Sequence, residues 1–377
     1  MHNSELIQIL FLIGFIILII GLLAIDLGVF EKKDKIVSLK RAAVTTLIWI
    51  LLAGGYGCIM RFAGEQMHGI ENAEALQDVV KKYHSKNTQK KILNILPSEN
   101  ELLSENEQHE RYEKALNVYR REATLEFFTG YLIEFSLSLD NIFVMILIFS
   151  SFAIPPEYYK RVLMWGILGA IVMRFIFIFA AGALVAKYEW VLIIFGLFLV
   201  YSAAKMLKDI LQHKQGGEFN PEHNPIVRFF SKRGNVTSTI TDHSFVKKID
   251  GKRYVTPLLI CLIVIEFSDV LFAIDSIPAI FSITKDPYIV FFSNIFAILG
   301  LRSLFFLLSG IIQKFRFLKH GLSVLLFTIG AKMIIESLPN SDIDVPIVVS
   351  LGLIVGILTI SIILSICIKP KNLNQKN

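Results

Sequence analysis

The chain has 377 residues, of which 54% are hydrophobic and 19% charged, and it contains 30 phenylalanines. This composition excludes an ordinary soluble domain and indicates a polytopic membrane protein. The formal net charge of +6 comes from basic loops, so it does not require a nucleic-acid partner. The three cysteines lie in apolar runs without CxxC spacing, which argues against a disulfide framework or a thiolate zinc site.

Long apolar stretches recur along the whole chain. A membrane-spanning helix needs about 20 apolar residues, and nine stretches meet that criterion, near residues 7–30, 40–61, 125–152, 161–186, 189–208, 255–282, 288–312, 318–338 and 345–368. The first stretch has no basic segment before it and is too long for a signal peptide, so we predict a retained helix. The fold class predicted is an all-α polytopic membrane protein with about nine transmembrane helices.

Basic residues collect in alternate loops, which predicts the orientation of the helices. Segment 31–41 carries five Lys or Arg residues, 313–320 carries three, and the 209–253 loop and the tail after 368 are also basic. Segment 337–346 has none. Because short cytoplasmic loops are enriched in Lys and Arg, we predict the N-terminus outside and the C-terminus in the cytoplasm.

Residues 62–122 form an unusually polar segment between the second and third apolar stretches. The segment is rich in Glu, Lys, Gln and Asn, with apolar residues at helical spacing. We predict a small extracytoplasmic helical insertion, and the spacing of Ser104 and Glu107 predicts a capping box that starts a helix running into the third stretch. The preferred interpretation is a solvated, structurally neutral insert, with partner binding or regulation as the alternative.

Two similar acidic segments indicate an internal repeat. "EFSLSLDNIFVMILIF" at 134–149 is echoed by "EFSDVLFAIDSIPAIF" at 266–281, and each is followed by an Arg with a Gly eight residues later and then by a Lys-Met pair. We predict two three-helix repeats, 123–208 and 254–338, which are inverted because three is odd. The remaining segments are the two helices of 1–61, the 209–253 cytoplasmic loop, and the last helix with its basic tail at 339–377.

The acidic residues of each repeat do not converge on a straight helix. At about 100° per residue, Glu134 and Asp140 point about 120° apart, and Glu266 and Asp275 lie on opposite faces. Both segments contain residues that weaken helices, including Pro278, which removes a bond to the carbonyl of residue 274. We therefore predict that both helices are interrupted near the bilayer centre, where freed carbonyls and carboxylates share one cavity.

Acids outnumber bases within the predicted spans. The acids are Asp26, Glu134, Asp140, Glu266, Asp269 and Asp275, and the bases are Arg174, Lys205, Arg302 and Lys332. This excess of two carboxylates favours binding of protons or of a divalent cation. Asp26, Lys205 and Lys332 lie near helix ends. We expect Arg174 and Arg302 to pair with acids across the repeat interface.

The chemistry of the candidate ligands limits which ions this excess of acid would bind. Carboxylate, hydroxyl, amide and carbonyl oxygens suit manganese, calcium or magnesium, and no His lies deep in any span. The candidate metal ligands are Glu134, Asp140, Asn141, Glu266, Asp269, Asp275 and Ser276. The alternative is that the acids only pair with Arg and Lys to hold the helices together.

Several of these motifs resemble the TerC family, the tellurium-resistance-associated and Alx-like integral membrane proteins. They are "GYLIEFSLSLDNIFV", "RVLMWGILGAIVMRFIFI", "FAIDSIPAIF" and "DLGVF". The resemblance implies efflux of divalent metal, above all manganese, across a bacterial inner membrane, with Glu134, Asp140, Glu266, Asp269 and Asp275 as the metal site. The 62–122 insertion departs from the compact family pattern.

Energetics favour an ion-coupled exporter over a channel. Moving two positive charges outward against about 150 mV costs roughly 7 kcal/mol, and the sequence has no phosphate-binding loop for ATP. We therefore expect a proton antiporter that carries manganese or calcium as cargo, has no permanently bound cofactor and is not an enzyme. The rivals are a calcium-handling or stress-response membrane scaffold associated with tellurium resistance and, less favoured, an intramembrane aspartyl protease, whose motifs the sequence lacks.

Overall fold

The computed structural model describes residues 3–26, 37–97, 104–188, 190–212, 244–249, 252–310, 317–338, 343 and 345–368. The helices are α1 Asn3–Asp26, α2 Leu39–Ala63, α3 Ala73–Tyr83, α4 Lys86–Leu93, α5 Glu105–Ser151, α6 Tyr159–Lys187, α7 Val191–Leu211, α8 Pro257–Phe281, α9 Pro287–Leu299, α10 Leu301–Ser309, α11 Leu318–Ser337 and α12 Ile347–Cys367. Short 3₁₀ turns lie at Gly64–His68 and Pro156–Tyr158, and strands β1 Val246–Ile249 and β2 Lys252–Val255 form an antiparallel hairpin.

The protein is an all-α polytopic membrane protein, as predicted. Within the described residues, seven helices are long and apolar enough to cross a membrane, and the bent pair of α9 and α10 can form an eighth span. The apolar part of α1, Ile9–Ile25, is shorter than that criterion. The predicted segments therefore coincide with helices, although the count of nine spans is not confirmed.

The predicted interruption of the two acidic helices is wrong, because α5 and α8 are both continuous. Pro278 lies three residues before the end of α8, so its missing N–H affects only the last turn. The Ser136 hydroxyl donates to the Leu132 carbonyl one turn earlier, so this serine bonds within the helix. The helix that does bend is the seventh predicted span, where α9 and α10 meet at Gly300 with a 43° change of direction.

The beginning of α5 confirms the predicted capping box. The Ser104 side chain accepts a hydrogen bond from the Glu107 N–H, and the Glu107 carboxylate accepts one from the Ser104 N–H at 2.9 Å. From this cap, α5 continues for 47 residues through the insertion and into the membrane-spanning part of the protein. The insertion is therefore joined to the first acidic segment by one uninterrupted helix.

The insertion is helical, as predicted, and has a hydrophobic core of its own. Side chains of α3, α4 and the first part of α5 meet there, including Leu76, Val80, Ile92 and Tyr119, all fully buried. Asn72 caps the N-terminus of α3, and Ser85 caps the N-terminus of α4. The segment is a compact helical unit that packs against the membrane helices. That it is structurally neutral stays a prediction.

Helices of the two predicted repeats pair reciprocally: α5 packs on α9, α6 packs on α8, and α7 packs on α11. The α7–α11 contact is closest at two glycines. A Cβ added at Gly196 would lie 2.9 Å from the Gly330 carbonyl oxygen, and one at Gly330 would lie 2.8 Å from the Gly196 carbonyl oxygen. Small residues permit such close approach between membrane helices. The inverted relation of the repeats stays a prediction.

Aromatic side chains pack α1 and α2 against the helices of the two predicted repeats. The Phe15 ring of α1 lies 4.1 Å from the Phe292 ring of α9, and the Tyr56 ring of α2 lies 4.7 Å from Phe296. All four side chains are buried. The two N-terminal helices thus cover the α9 side of the repeats, through tilted ring contacts that stabilise packing beyond simple area burial.

The two ends of the bundle are marked by the insertion and by the hairpin. The Lys285 N–H, in the turn between α8 and α9, donates to the Tyr83 carbonyl at the end of α3. At the opposite end of α5, Arg161 at the start of α6 lies over the Phe245 ring beside β1, 5.2 Å from its centroid. We call these the insertion end and the hairpin end.

Candidate functional site

A buried arginine joins acids from both predicted repeats. Arg174 of α6 is 1% exposed and forms an ion pair with Glu134 of α5, while Nη2 lies 3.8 Å from Oδ1 of Asp269 on α8. Its Nη1 also donates to Oδ1 of Asn294 on α9 at 2.6 Å. We call Arg174, Glu134, Asp269 and Asn294 the arginine cluster. The sequence predicted this pairing of Arg174 with acids.

Local hydrogen bonds orient the side chains of the arginine cluster. Asn294 Nδ2 donates to the Val290 carbonyl at 2.8 Å, which turns its carbonyl oxygen toward Arg174. The Ser138 hydroxyl donates to Oε1 of Glu134 at 3.2 Å from one turn along α5. Sequence reasoning missed Asn294, and its only signal was a polar Ser-Asn pair within the apolar run "FFSNIFAIL".

The arginine cluster has two carboxylates for one guanidinium, and its hydrogen bonding is incomplete. Glu134 Oε2, Asp269 Oδ2 and Arg174 Nε are buried without a hydrogen-bond partner. Buried polar atoms normally have partners, so these two oxygens are free to accept a proton or contribute to a cation site.

A second group of acids lies apart from Arg174. Asp140 of α5 and Asp275 of α8 are close enough for their negative charges to repel each other. The Ser202 hydroxyl of α7 donates to Oδ1 of Asp275 at 2.8 Å. Lys319 Nζ of α11 lies 3.6 Å from Oδ1 of Asp140, which is too far for a good hydrogen bond. We call Asp140 and Asp275 the aspartate pair.

The aspartate pair is only loosely neutralised. Lys319 is 34% exposed and Asp140 is 18% exposed at their side chains, and Oδ1 of Asp140 has no hydrogen-bond partner. From the sequence, Lys319 was expected only among the basic residues of a loop. Ser202, three residues before Lys205, was not expected to take part. Both are polar residues whose partners become visible only when α7 and α11 are packed.

Glu266 does not take the position that its repeat counterpart Glu134 occupies. Its carboxylate lines a groove of about 450 Å³ between α6 and α8, beside the apolar side chains of Trp165 and Leu262. Gly169 makes this possible, because any Cβ there would overlap the Glu266 carboxylate. Asp269, one turn along α8, is near enough to repel it electrostatically. Glu266 therefore lies at the edge of the arginine cluster.

The other predicted residues are distributed over the bundle. Asn141 and Ser276 are buried, and the Ser276 hydroxyl has no hydrogen-bond partner. Lys205 is exposed on α7, where its charge acts on Asp275, and Arg302 is half-buried in α10 beside the bend. Lys332 donates to the Ser282 carbonyl at the insertion end, at 2.9 Å, away from both acid groups. Asp26 ends α1, and its side chain lies outside the described residues.

The acids do not gather into one cavity as predicted. They divide between the arginine cluster and the aspartate pair, because α5 and α8 are straight through their acidic segments and direct their acids to different faces. Within the part of the chain that the structure describes, no group of three or more His, Cys, Asp or Glu side chains is close enough to hold a metal ion. Ion binding by these residues stays a prediction.

Comparisons with known proteins agree with this architecture. The profile of the family described as "Integral membrane protein TerC family" matches residues 119–373. Alx of Salmonella typhi, provisionally named a membrane-bound redox modulator, is 49% identical over 242 residues, covering 64% of this chain and 72% of that protein. The corresponding protein of Escherichia coli K12 is 46% identical over 67% of this chain and 76% of its own.

A longer match includes most of the N-terminal region. The uncharacterized membrane protein STKORF319 of Myxococcus xanthus is 38% identical over 353 residues, which is 94% of this chain and 91% of that protein. No solved structure matches. The family profile covers both acidic segments and every helix from the membrane-spanning part of α5 to α12. This chain therefore belongs to the TerC family of integral membrane proteins.

Proposed function

We propose that this protein is a secondary transporter that exports divalent cations, above all manganese, in exchange for protons. The observation that carries the proposal is the aspartate pair, in which carboxylates from the membrane helices α5 and α8 have only a hydroxyl at 2.8 Å and a lysine at 3.6 Å as their polar contacts among the described residues. One oxygen of Asp140 has no hydrogen-bond partner, and the nearest cation is 3.6 Å away. Acids within a membrane cost free energy, so they usually mark a binding site for an ion or a proton.

The donor chemistry supports a hard cation. Asp140, Asp275, the Ser202 hydroxyl and the Asn141 amide offer oxygen ligands, which suit manganese, calcium or magnesium better than copper or zinc. A bound divalent cation would remove the repulsion between the two aspartates, and protons would do the same. Alternation between these two occupants is the chemical basis of the proposed antiport.

The arginine cluster has a different role in this proposal. Arg174 is fully buried against Glu134 and Asp269, which belong to different predicted repeats. A buried pair of this kind is costly to break. It therefore holds α5, α6 and α8 together, while the aspartate pair exchanges its occupant.

The orientation and location are also part of the proposal. The basic 31–41 and 209–253 loops and the basic tail favour a cytoplasmic hairpin end, so the insertion end faces outward. With this arrangement the N-terminus lies outside a bacterial inner membrane and the C-terminus lies in the cytoplasm. Outward movement of a divalent cation then requires energy, which inward proton flow supplies.

A redox role, which the name of the Alx relatives suggests for those proteins, has less support in this chain. Its three cysteines, all within the described residues, are free: Cys58 and Cys367 are exposed and Cys261 is buried. A scaffold role or calcium handling remains the alternative, and ion flux through the purified protein separates these possibilities.

The test is manganese flux in proteoliposomes with a pH reporter inside. We expect manganese movement to be accompanied by opposite proton movement in the wild type, and both to be lost in Asp275→Asn. The matched control is Asp78→Asn, an exposed acid of α3, which should transport at the wild-type rate. Parallel assays with calcium and magnesium establish selectivity. Equal flux in Asp275→Asn and wild type, or manganese flux without proton movement, would contradict the proposal.

A further inference from the structure

The insertion end contains a second set of buried ionisable side chains, which the transport proposal does not use. His68 Nε2 lies 2.6 Å from Oδ2 of Asp286, with the side chains 4% and 0% exposed. His84 Nδ1 lies 2.8 Å from Oε1 of Glu126, with the side chains 0% and 3% exposed. Two histidine–carboxylate pairs are therefore enclosed where the insertion meets the membrane helices.

The first pair joins the insertion to the turn that follows α8. His68 ends the 3₁₀ turn after α2, and Asp286 caps α9 by accepting the Tyr288 N–H at 2.9 Å. The backbone bond from Lys285 to Tyr83 lies beside it. Because α8 carries one member of the aspartate pair, the insertion holds the outer end of a helix that takes part in the proposed site.

The second pair lies beside a small polar cavity. Glu126 lines a space of about 40 Å³ together with Ser282 at the end of α8 and Lys332 and Glu336 at the end of α11. This volume can hold at least one water molecule. Glu126 Oε2 and His84 Nε2 are buried without a hydrogen-bond partner. The cavity thus gives solvent a place to reach an incompletely bonded carboxylate.

Charges around the two pairs determine their ionisation. Burial lowers the pKa of His84, but the Glu126 carboxylate and the more distant Asp286 and Glu122 outweigh burial, so the pKa is raised. Burial raises the pKa of Asp286, but the His68 and His84 charges and the hydrogen bonds from His68 and from the Tyr288 N–H outweigh it, so the pKa is lowered. Other charged or titratable groups near these pairs are Tyr56, Tyr83, Tyr119, Tyr288, Lys82, Lys91, Arg121, Lys332 and Glu336.

We propose that the His84–Glu126 pair forms an extracytoplasmic proton-binding site that closes the outer side of the protein when it is protonated. A proton held on His84 neutralises Glu126, so the insertion stays docked on the α8–α9 turn, to which the His68–Asp286 contact also joins it. Loss of that proton leaves the buried Glu126 carboxylate without a cation, which weakens docking. The outward-facing placement and the effect on transport rest on the proposed function, whereas proton-dependent docking does not.

The direction of the pH effect follows from His84. A group whose pKa is raised in the docked state adds stability that is fully present below its ordinary pKa of about 6.5. That stability is lost as pH rises through the higher docked value. The contribution of Asp286, whose pKa is lowered, is lost only under strongly acidic conditions. Docking should therefore weaken from neutral to alkaline pH.

The test measures the distance across the cavity by electron paramagnetic resonance in nanodiscs, without transport. Spin labels at Lys90→Cys on α4 and Leu338→Cys after α11, both exposed positions, would be placed in a chain with Cys58, Cys261 and Cys367 replaced by alanine. We expect one short distance at about pH 6 and a growing longer component toward about pH 9. Each unit of pKa difference between docked and undocked states corresponds to a tenfold change in their ratio.

Two variants and two controls make the result decisive. His84→Gln should show the longer component at both pH values, and the nearly isosteric Glu126→Gln should lose most of the pH response even if His84→Gln fails to fold. His109→Gln, an exposed histidine of α5, should behave as the parent. Asp140→Asn should also keep the pH response of the label distance, so a failure of the transport proposal can be told apart from a failure of the docking proposal. A distance distribution that does not change between the two pH values, or an unchanged response in Glu126→Gln, would overturn the inference.

Discussion

The carboxylates of the arginine cluster and of the aspartate pair come from the same two helices, α5 and α8, yet their charges are neutralised differently. Glu134 and Asp269 are almost completely buried around one guanidinium that is itself 1% exposed. Asp140 has a partly exposed partner at 3.6 Å, and Asp275 has a hydroxyl partner together with the charge of the exposed Lys205. A permanent, enclosed counter-ion suits a structural joint, whereas weak and replaceable partners suit a site whose occupant must leave.

Removing the Arg174 guanidinium should give the largest difference in stability between the arginine cluster and the aspartate pair. We expect Arg174→Leu to destabilise the protein by about 3 to 5 kcal/mol, because it leaves Glu134 and Asp269 buried without a counter-ion. Thermal unfolding in detergent, followed by tryptophan fluorescence, measures the change. The control is Arg161→Leu at the exposed start of α6, where loss of a ring contact should cost about 1 kcal/mol or less. Equal stability of the two variants would contradict a structural role for the arginine cluster.

A smaller effect is expected at Ser202. Ser202→Ala removes the one hydrogen bond to Asp275 that the described contacts include, so we expect a loss of about 0.5 to 1.5 kcal/mol. The apparent affinity for manganese should also change, since Asp275 would lose its orientation. Thr328→Ala, whose hydroxyl bonds only to its own helix at the Val324 carbonyl, is the matched control. An effect of several kcal/mol would place Asp275 in a structural role instead.

The smallest effect is expected at Lys319. The partial exposure of this side chain and its 3.6 Å separation from Asp140 predict that Lys319→Met costs between about 0 and 1 kcal/mol. Chemical denaturation of the variant beside Arg174→Leu gives the contrast directly. A loss comparable to that of Arg174→Leu would show that the aspartate pair is held as rigidly as the arginine cluster.

The sequence was sufficient for the features that depend on local chemistry. Apolar length predicted the membrane helices, and the spacing of Ser104 and Glu107 predicted the cap of α5. The pairing of Arg174 followed from the cost of an unpaired buried charge. These inferences succeed because each needs only the residue types and their separation along the chain.

Packing decided the features that the sequence could not supply. Ser and Pro residues suggested broken acidic helices, but Ser136 bonds within its helix and Pro278 falls in a last turn. The partners Asn294 and Lys319 come from helices far away in the chain, and their role depends on how α9 and α11 pack. The insertion was predicted to be helical, but its contact with the α8–α9 turn was not, because nothing local shows that His68 meets Asp286.

The central claim is that the aspartate pair binds the exported cation. Manganese-dependent thermal stabilisation of the purified protein tests it most directly, because a ligand at about 100 times its Kd should stabilise the folded state by about 2.7 kcal/mol. We predict this stabilisation in the wild type and its loss in the Asp140→Asn, Asp275→Asn double variant, while that variant without manganese unfolds close to the wild-type temperature. Full manganese-dependent stabilisation of the double variant would contradict the account.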